Sequence, residues 1–89
     1  MEIEFDPDKD QSNREKHGIS LAAAEWMDLD AAVVVPDQRR DYREHRQRAF
    51  GPIDGRLYVV IFTMRGTVLR AISLRRANAR EVNRYGQRE

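Results

Sequence analysis

Leu57-Tyr58-Val59-Val60-Ile61-Phe62-Thr63, then Met64-Arg65-Gly66-Thr67, then Val68-Leu69-Arg70-Ala71-Ile72-Ser73-Leu74 is the stretch whose reading decides the fold. Its first seven residues are apolar almost without interruption, as in a central strand covered on both faces, and Gly66 marks a turn. The stretch predicts an antiparallel hairpin of residues 57–63 and 68–74. Upstream, residues 46–50 read as another strand, closed by Gly51-Pro52 and followed by a turn at Asp54-Gly55. Residues 31–35 have strand propensity but run into Pro36, which predicts an edge or a short strand. Residues 37–44 carry both signs of charge and read as a loop.

The N-terminal third is helical by its punctuation. Residues 3–5 form a short first strand, with Ile3 and Phe5 on one face. Asp6 is then an N-cap, Pro7 suits the first helical position, Asp8 suits the positive end of the dipole, and Gly18 is a C-terminal cap. The helix so bounded, residues 7–17, holds no large apolar side chain. Such a helix gains little from burial, so specific polar contacts or a partner must fix it. Ser20 caps a second helix, whose Ala22, Ala23, Trp26 and Leu29 share one face at helical spacing and are expected in the core. At the other end, Asn78 and Glu81 form a capping box for a last helix over 78–85, with Ala79, Val82 and Gly86 as a narrow packing face. Strand, two helices, antiparallel meander and helix make an α+β domain, and residues 1–89 are expected to be one domain.

Composition narrows the function. An 89-residue chain buries only roughly 60–65% of its unfolded surface, so its core is thin. The chain has no cysteine, which rules out a disulfide framework, a cysteine zinc site and a thiol nucleophile. No signal-peptide pattern or apolar run of spanning length is present, so a cytoplasmic protein without membrane contact is expected. The net charge of +1 hides an asymmetry: between Phe62 and Arg88 there are seven arginines and one acid. Fourteen of the sixteen basic residues are arginine, whose planar guanidinium matches phosphate and carboxylate alike.

Among titratable groups, His17 stands at a helix C-terminus beside Lys16, where an imidazole is placed for proton transfer or simply caps the helix end. His45 lies in a mixed-charge loop without a metal partner at ligand spacing and reads as solvated. The acids are scattered, so neither a metal site nor another cofactor is expected. Arginine, lysine, histidine and tyrosine suffice for metal-free RNA cleavage, in which a base activates the ribose 2′-OH, cations stabilise the pentacoordinate phosphate and an acid protonates the leaving oxygen. On the last helix Arg80, Arg84 and Arg88 form a stripe, and for any one of them a solvated charge is the better account; Arg70 and Arg75, on the strand and its end, are better candidates. Tyr85 is an acid, a stacking surface or, most simply, a core residue.

Asp6-Pro7-Asp8-Lys9, Asn13, Lys16-His17-Gly18-Ile19-Ser20, Arg46 with Gly51, Thr63 with Arg65, and Arg70-Ala71-Ile72-Ser73-Leu74-Arg75-Arg76-Ala77 through Glu81 and Tyr85 together resemble the BrnT toxins of bacterial type II toxin–antitoxin systems. Leu74 replaces a frequent Ala and His45 a common Glu. The resemblance implies a RelE-like fold, a small twisted antiparallel sheet with two N-terminal helices and one C-terminal helix. It implies a metal-independent endoribonuclease that blocks translation and is neutralised by a BrnA antitoxin with a ribbon-helix-helix domain, through which alone the complex meets operator DNA. On that pattern Arg70 and Arg75 are expected to hold the scissile phosphate and Lys16 and His17 to handle protons or charge. Arg46, Arg65, Arg76, Arg80 and Tyr85 are the expected substrate contacts; Asn13 and Glu81 are expected to be structural or orienting, Glu81 either orienting an arginine by a salt bridge or serving only as a capping-box residue. The competing expectation is a non-catalytic module that binds RNA or docks the antitoxin through the same arginines.

Overall fold

The computed structural model describes residues 1–39 and 43–86. The expected loop over 37–44 therefore lies partly, and Arg88 wholly, outside the described residues.

The described residues form a five-stranded sheet in the order β1-β5-β4-β3-β2, with β1 Ile3–Glu4, β2 Val33–Pro36, β3 Gln47–Ile53, β4 Arg56–Arg65 and β5 Val68–Arg76. From β2 to β5 the strands run antiparallel, as the meander predicts. The sheet is nevertheless mixed, because β1 pairs with β5 in parallel, Ile3 opposite Leu69 and Glu4 opposite Arg70. A parallel neighbour needs a long crossover, and here the whole intervening chain supplies it. β2 is the edge strand that Pro36 foretold.

Two turns close the hairpins as their glycines require. Asp54 and Gly55 both have positive φ, 52° and 80°, the signature of a type I′ turn between β3 and β4. β3 does not stop at Gly51-Pro52 as expected but runs through both. Ile53 opposite Arg56 flanks the turn as a hydrogen-bonded pair, so Pro52 opposite Leu57 is a non-bonded pair. The Pro52 nitrogen thus points away from β4, to the side where β2 has already ended at Val33, and no ladder bond is lost. Gly51 is needed for space: a Cβ there would stand 2.9 Å from Ala32 Cβ and from Met27 Cγ and Sδ.

Helix α1, Pro7–His17, has the predicted caps, with Asp6 accepting from the Asp8 amide and Gly18 left-handed at φ 71°. Of the two ways of fixing a polar helix, the fold uses polar contacts. Asn13 is buried and bonds Ile19 and Leu74 of the main chain. Asp10 accepts from the Leu21 amide at 2.7 Å and the Ser20 hydroxyl at 2.9 Å, tying α1 to the segment that follows.

That segment corrects the second helix. Residues Leu21–Trp26 and Leu29–Ala31 are 3₁₀ turns, not an α-helix. With three residues per turn the buried side chains are Leu21, Ala24 and Met27, at spacings of three, and the expected core face of Ala22, Ala23, Trp26 and Leu29 rotates outward. Ala22 is exposed, Ala23 and Leu29 are half-buried, and Trp26 is 70% exposed. The core lies between this segment and one face of the sheet, where Ala49, Ile53, Val60, Phe62, Leu69, Ala71 and Leu74 meet it.

Helix α2, Ala79–Tyr85, has the predicted capping box of Asn78 and Glu81. It rests on the opposite face of the sheet, not through Ala79, Val82 and Gly86, which are all exposed, but through Glu81 and Tyr85. Tyr85 stacks on Phe50 with ring centroids 4.0 Å apart. β4 is accordingly covered on both faces, with Val59 and Val60 each 1% exposed.

Candidate active site

Strand register sorts the arginines. The core-side face carries Ala49, Val60, Phe62, Ala71 and Leu74; the other face carries Arg48 and Phe50 of β3, Val59, Ile61 and Thr63 of β4, and Arg70, Ser73 and Arg75 of β5. A bulge makes this possible. Ile61 opposes Ser73 and Phe62 opposes Ala71, so Ile72 has no partner, and the extra residue brings Arg70, Ser73 and Arg75 onto one face despite their odd spacing.

Ser73 is the junction between this face and α1. Lys16 and His17, exposed at the helix end, line a groove of about 200 Å³ together with Lys9, Ser12, Asn13, Ile72 and Ser73. Asn13 holds that groove together: its Nδ2 donates to the Leu74 carbonyl at 2.8 Å and its Oδ1 accepts from the Leu74 amide at 3.0 Å. β1 reaches only as far as Arg70, so an amide side chain takes the place of a neighbouring strand on the next part of β5. The side chains of residues 16 and 17 are thereby carried to the segment of β5 that lies between Arg70 and Arg75.

Each of those arginines has an acid. Arg75 makes a two-pronged pair with Glu81, Nη1 to Oε1 at 2.8 Å and Nη2 to Oε2 at 2.9 Å, while Glu81 also accepts from the Asn78 amide at 2.9 Å. The Arg75 guanidinium holds the Glu81 carboxyl below the usual carboxylate range, against the upward push of burial and with help from the Asn78 amide, and Glu81 raises Arg75 in return. Glu81 is therefore both a capping residue and the group that aims Arg75. Arg70 has a looser partner, Glu4 at 3.6 Å across the β1–β5 seam. Arg70 and Arg75 oppose Thr63 and Val59, four residues apart on β4, so their backbones are separated by roughly 13 Å.

The remaining candidates scatter. Arg46 pairs with Glu44 at 3.1 Å at the start of β3. Arg65 lies exposed beside the Gly66 turn at the far end of the sheet. Arg76 points to the other side, lining a separate hollow with Arg56, Ala77 and Val82. Arg80 and Tyr85 share a second groove, of about 340 Å³, with Val35, Arg48, Phe50, Glu81 and Arg84. Among the described residues no three His, Cys, Asp or Glu side chains converge where a metal ion could be held. No helix among them is long and apolar enough to cross a membrane.

Arg48 escaped the sequence reading. Its signal was there in the alternation Arg46, Arg48, Phe50, which sets two arginines on the face that carries the aromatic ring.

Residues 5–81 match the model of a family described as the ribonuclease toxin, BrnT, of type II toxin–antitoxin systems. The chain belongs to the BrnT family. The crystal structure of the Brucella abortus ribonuclease toxin BrnT superposes with a TM-score of 0.71 at 33% identity, covering 88% of this chain and 97% of that one. No curated protein matches the chain. BrnT proteins are ribonuclease toxins, and a type II system implies a protein antitoxin as partner. The BrnT match takes in Asn13, Lys16, His17, Arg70, Arg75 and Glu81 and ends there, so Arg84 and Tyr85 lie beyond it.

Proposed function

We propose that this chain is a metal-independent endoribonuclease that inhibits translation in the cytoplasm, its RelE-like domain spanning residues 1–89. A BrnA-type antitoxin with a ribbon-helix-helix domain neutralises it and carries it to operator DNA. The observation behind this reading is the groove that Lys16 and His17 share with Ser73, on the stretch of β5 flanked by Arg70 and Arg75.

In that groove His17 removes or returns a proton at the ribose 2′-oxygen and the leaving 5′-oxygen, and Lys16 adds positive charge. As the 2′-oxygen attacks phosphorus, negative charge grows on the phosphoryl oxygens, and a guanidinium held in place beforehand stabilises it at little reorganisation cost. Arg75, fixed by Glu81, is the first choice for that role, with Arg70 binding the strand farther along.

Cleavage of total RNA by the purified protein in the presence of EDTA tests the reading. His17→Ala and Arg75→Ala are expected to lower the rate at least about a hundredfold, the usual contribution of a general acid–base or an electrostatic donor. Wild-type rates in both His17→Ala and Arg70→Ala would sink it. One observation favours a second reading, a module that binds RNA or antitoxin without cleaving: Arg70 and Arg75 are already paired with acids, Glu4 and Glu81. RNA bound tightly and left intact is its expected result.

A further inference from the structure

Arg48 differs from the other half-buried arginines of the sheet. Its side chain is only 27% exposed, yet its buried Nε has no hydrogen-bond partner among the described residues. Its guanidinium carbon lies 5.6 Å from the centroid of the Phe50 ring. Its one ion-pair partner among the described residues, Asp37, stands 4.0 Å away and is already gripped by Arg39 at 2.7 Å and 3.1 Å. Burying a guanidinium with its donors unmet costs free energy, which a ligand rich in acceptor oxygens offsets. The ring beneath it keeps the planar group in place without consuming a donor.

The surroundings select the ligand. Arg48 shares its groove with Arg80 and Arg84, both exposed and without an acid partner among the described residues, and Arg84 lies 5.4 Å over the outer ring of the stack, Tyr85. The one carboxylate in the groove, Glu81, has both oxygens engaged by Arg75. Three arginines thus line a groove of about 340 Å³ in which no described carboxylate is left unengaged, and the groove borders Arg75 through Glu81. The volume suits a compact, multiply charged group, and phosphate is the anion whose oxygens match several guanidinium forks at once.

We propose that the groove between α2 and β3 is a phosphate subsite in which Arg48, Arg80 and Arg84 hold a backbone phosphate of RNA flanking the one cleaved. This rests on the reading of the arginine face as an RNA-binding face, but not on cleavage.

The test measures binding of a fluorescein-labelled 2′-O-methyl RNA dodecamer, which has no 2′-hydroxyl to attack, against salt concentration. Arg48→Gln is expected to weaken binding roughly tenfold, the loss of one charge-assisted contact. The slope of log K on log salt is expected to shrink by about 0.7, the value for one phosphate contact on a single strand. The double variant Arg80→Gln/Arg84→Gln changes only exposed side chains and carries the test if Arg48→Gln melts early. Unchanged affinity and slope in both overturn the subsite. If inorganic phosphate or a hexaglutamate peptide shifts the Arg48 and Arg84 side-chain resonances while RNA affinity ignores both variants, the groove serves a free anion or an acidic protein, and the RNA subsite is overturned. Groove-dependent binding by a protein that cleaves no RNA upholds the subsite and removes only the ribonuclease reading.

Discussion

Asn13 of α1 and Leu74 of β5 exchange two hydrogen bonds through one side-chain amide, at 2.8 and 3.0 Å, across a sequence separation of 61 residues. The pair holds the otherwise polar α1 against the sheet and sets Lys16 and His17 beside Ser73. Asn13→Ala leaves a buried N–H and a buried C=O of Leu74 unpaired, and at about 1–3 kcal/mol for each such group a loss of about 2–6 kcal/mol is expected. Urea unfolding measures it. Exchange of the Leu74 amide with deuterium, faster in the variant, identifies the lost bond as the cause.

The 3₁₀ phase of Leu21–Trp26 makes a prediction opposite to that of a regular helix. Trp26→Ala is expected to cost under about 0.5 kcal/mol, as for other solvent-facing positions, whereas Met27→Ala removes a buried side chain and costs about 2–4 kcal/mol. Since the chain has one tryptophan, its fluorescence reports the same geometry directly. Emission at the wavelength of a hydrated indole, with free quenching by acrylamide, is expected in the folded state.

Acid stability follows from two carboxylates that the fold depresses. The Arg75 guanidinium lowers Glu81, and the Leu21 amide, with lesser contributions from Ser20 and Arg14, lowers Asp10 against the effect of burial. A carboxyl whose folded pKa lies below its unfolded value adds stability that is complete above the unfolded value, about 4, and is lost as pH falls through the folded one. Unfolding free energy is therefore expected to be flat from pH 7 to about 5 as far as these two groups govern it, and to decline at lower pH. Glu81→Gln should flatten part of that decline. An acid limb of unchanged steepness in the variant would mean that the Arg75–Glu81 pair does not hold in solution.

Gly51→Ala tests close packing beneath β3. The added methyl would meet Met27, which can yield, and Ala32 Cβ, which moves only with its backbone, both at 2.9 Å. Overpacking of this kind costs about 1–3 kcal/mol, to be read as a lowered melting temperature.

Local signals proved readable wherever a side chain dictates its own backbone. Asp6, Pro7 and Gly18 bound α1, Asn78 and Glu81 open α2, and Asp54-Gly55 turns the chain, each by chemistry confined to a few residues. What depended on distant partners was not. Pro52 sits inside a strand because β2 ends short of it, a fact about another strand. Trp26 faces outward because Asp10, in the preceding helix, bonds the Leu21 amide and fixes the phase of the 3₁₀ turn. In the candidate site, the place of Glu81 at the start of α2 could be read from its capping box, but its pairing with Arg75 and the unmet Nε of Arg48 could not. The latter depends on Asp37 being already taken by Arg39.

The seam between β1 and β5 sets a condition on how the molecule comes into being. Ile3 waits for Leu69 and Asn13 for Leu74, so the first seventeen residues have no sheet to dock on until the last strand exists. Contacts of such long span form late in folding, after the meander between them has closed. A nascent chain leaving the ribosome therefore carries Lys16 and His17 before Arg70 and Arg75, and brings them together only once β5 has been made. No half-made form of this protein holds the whole site.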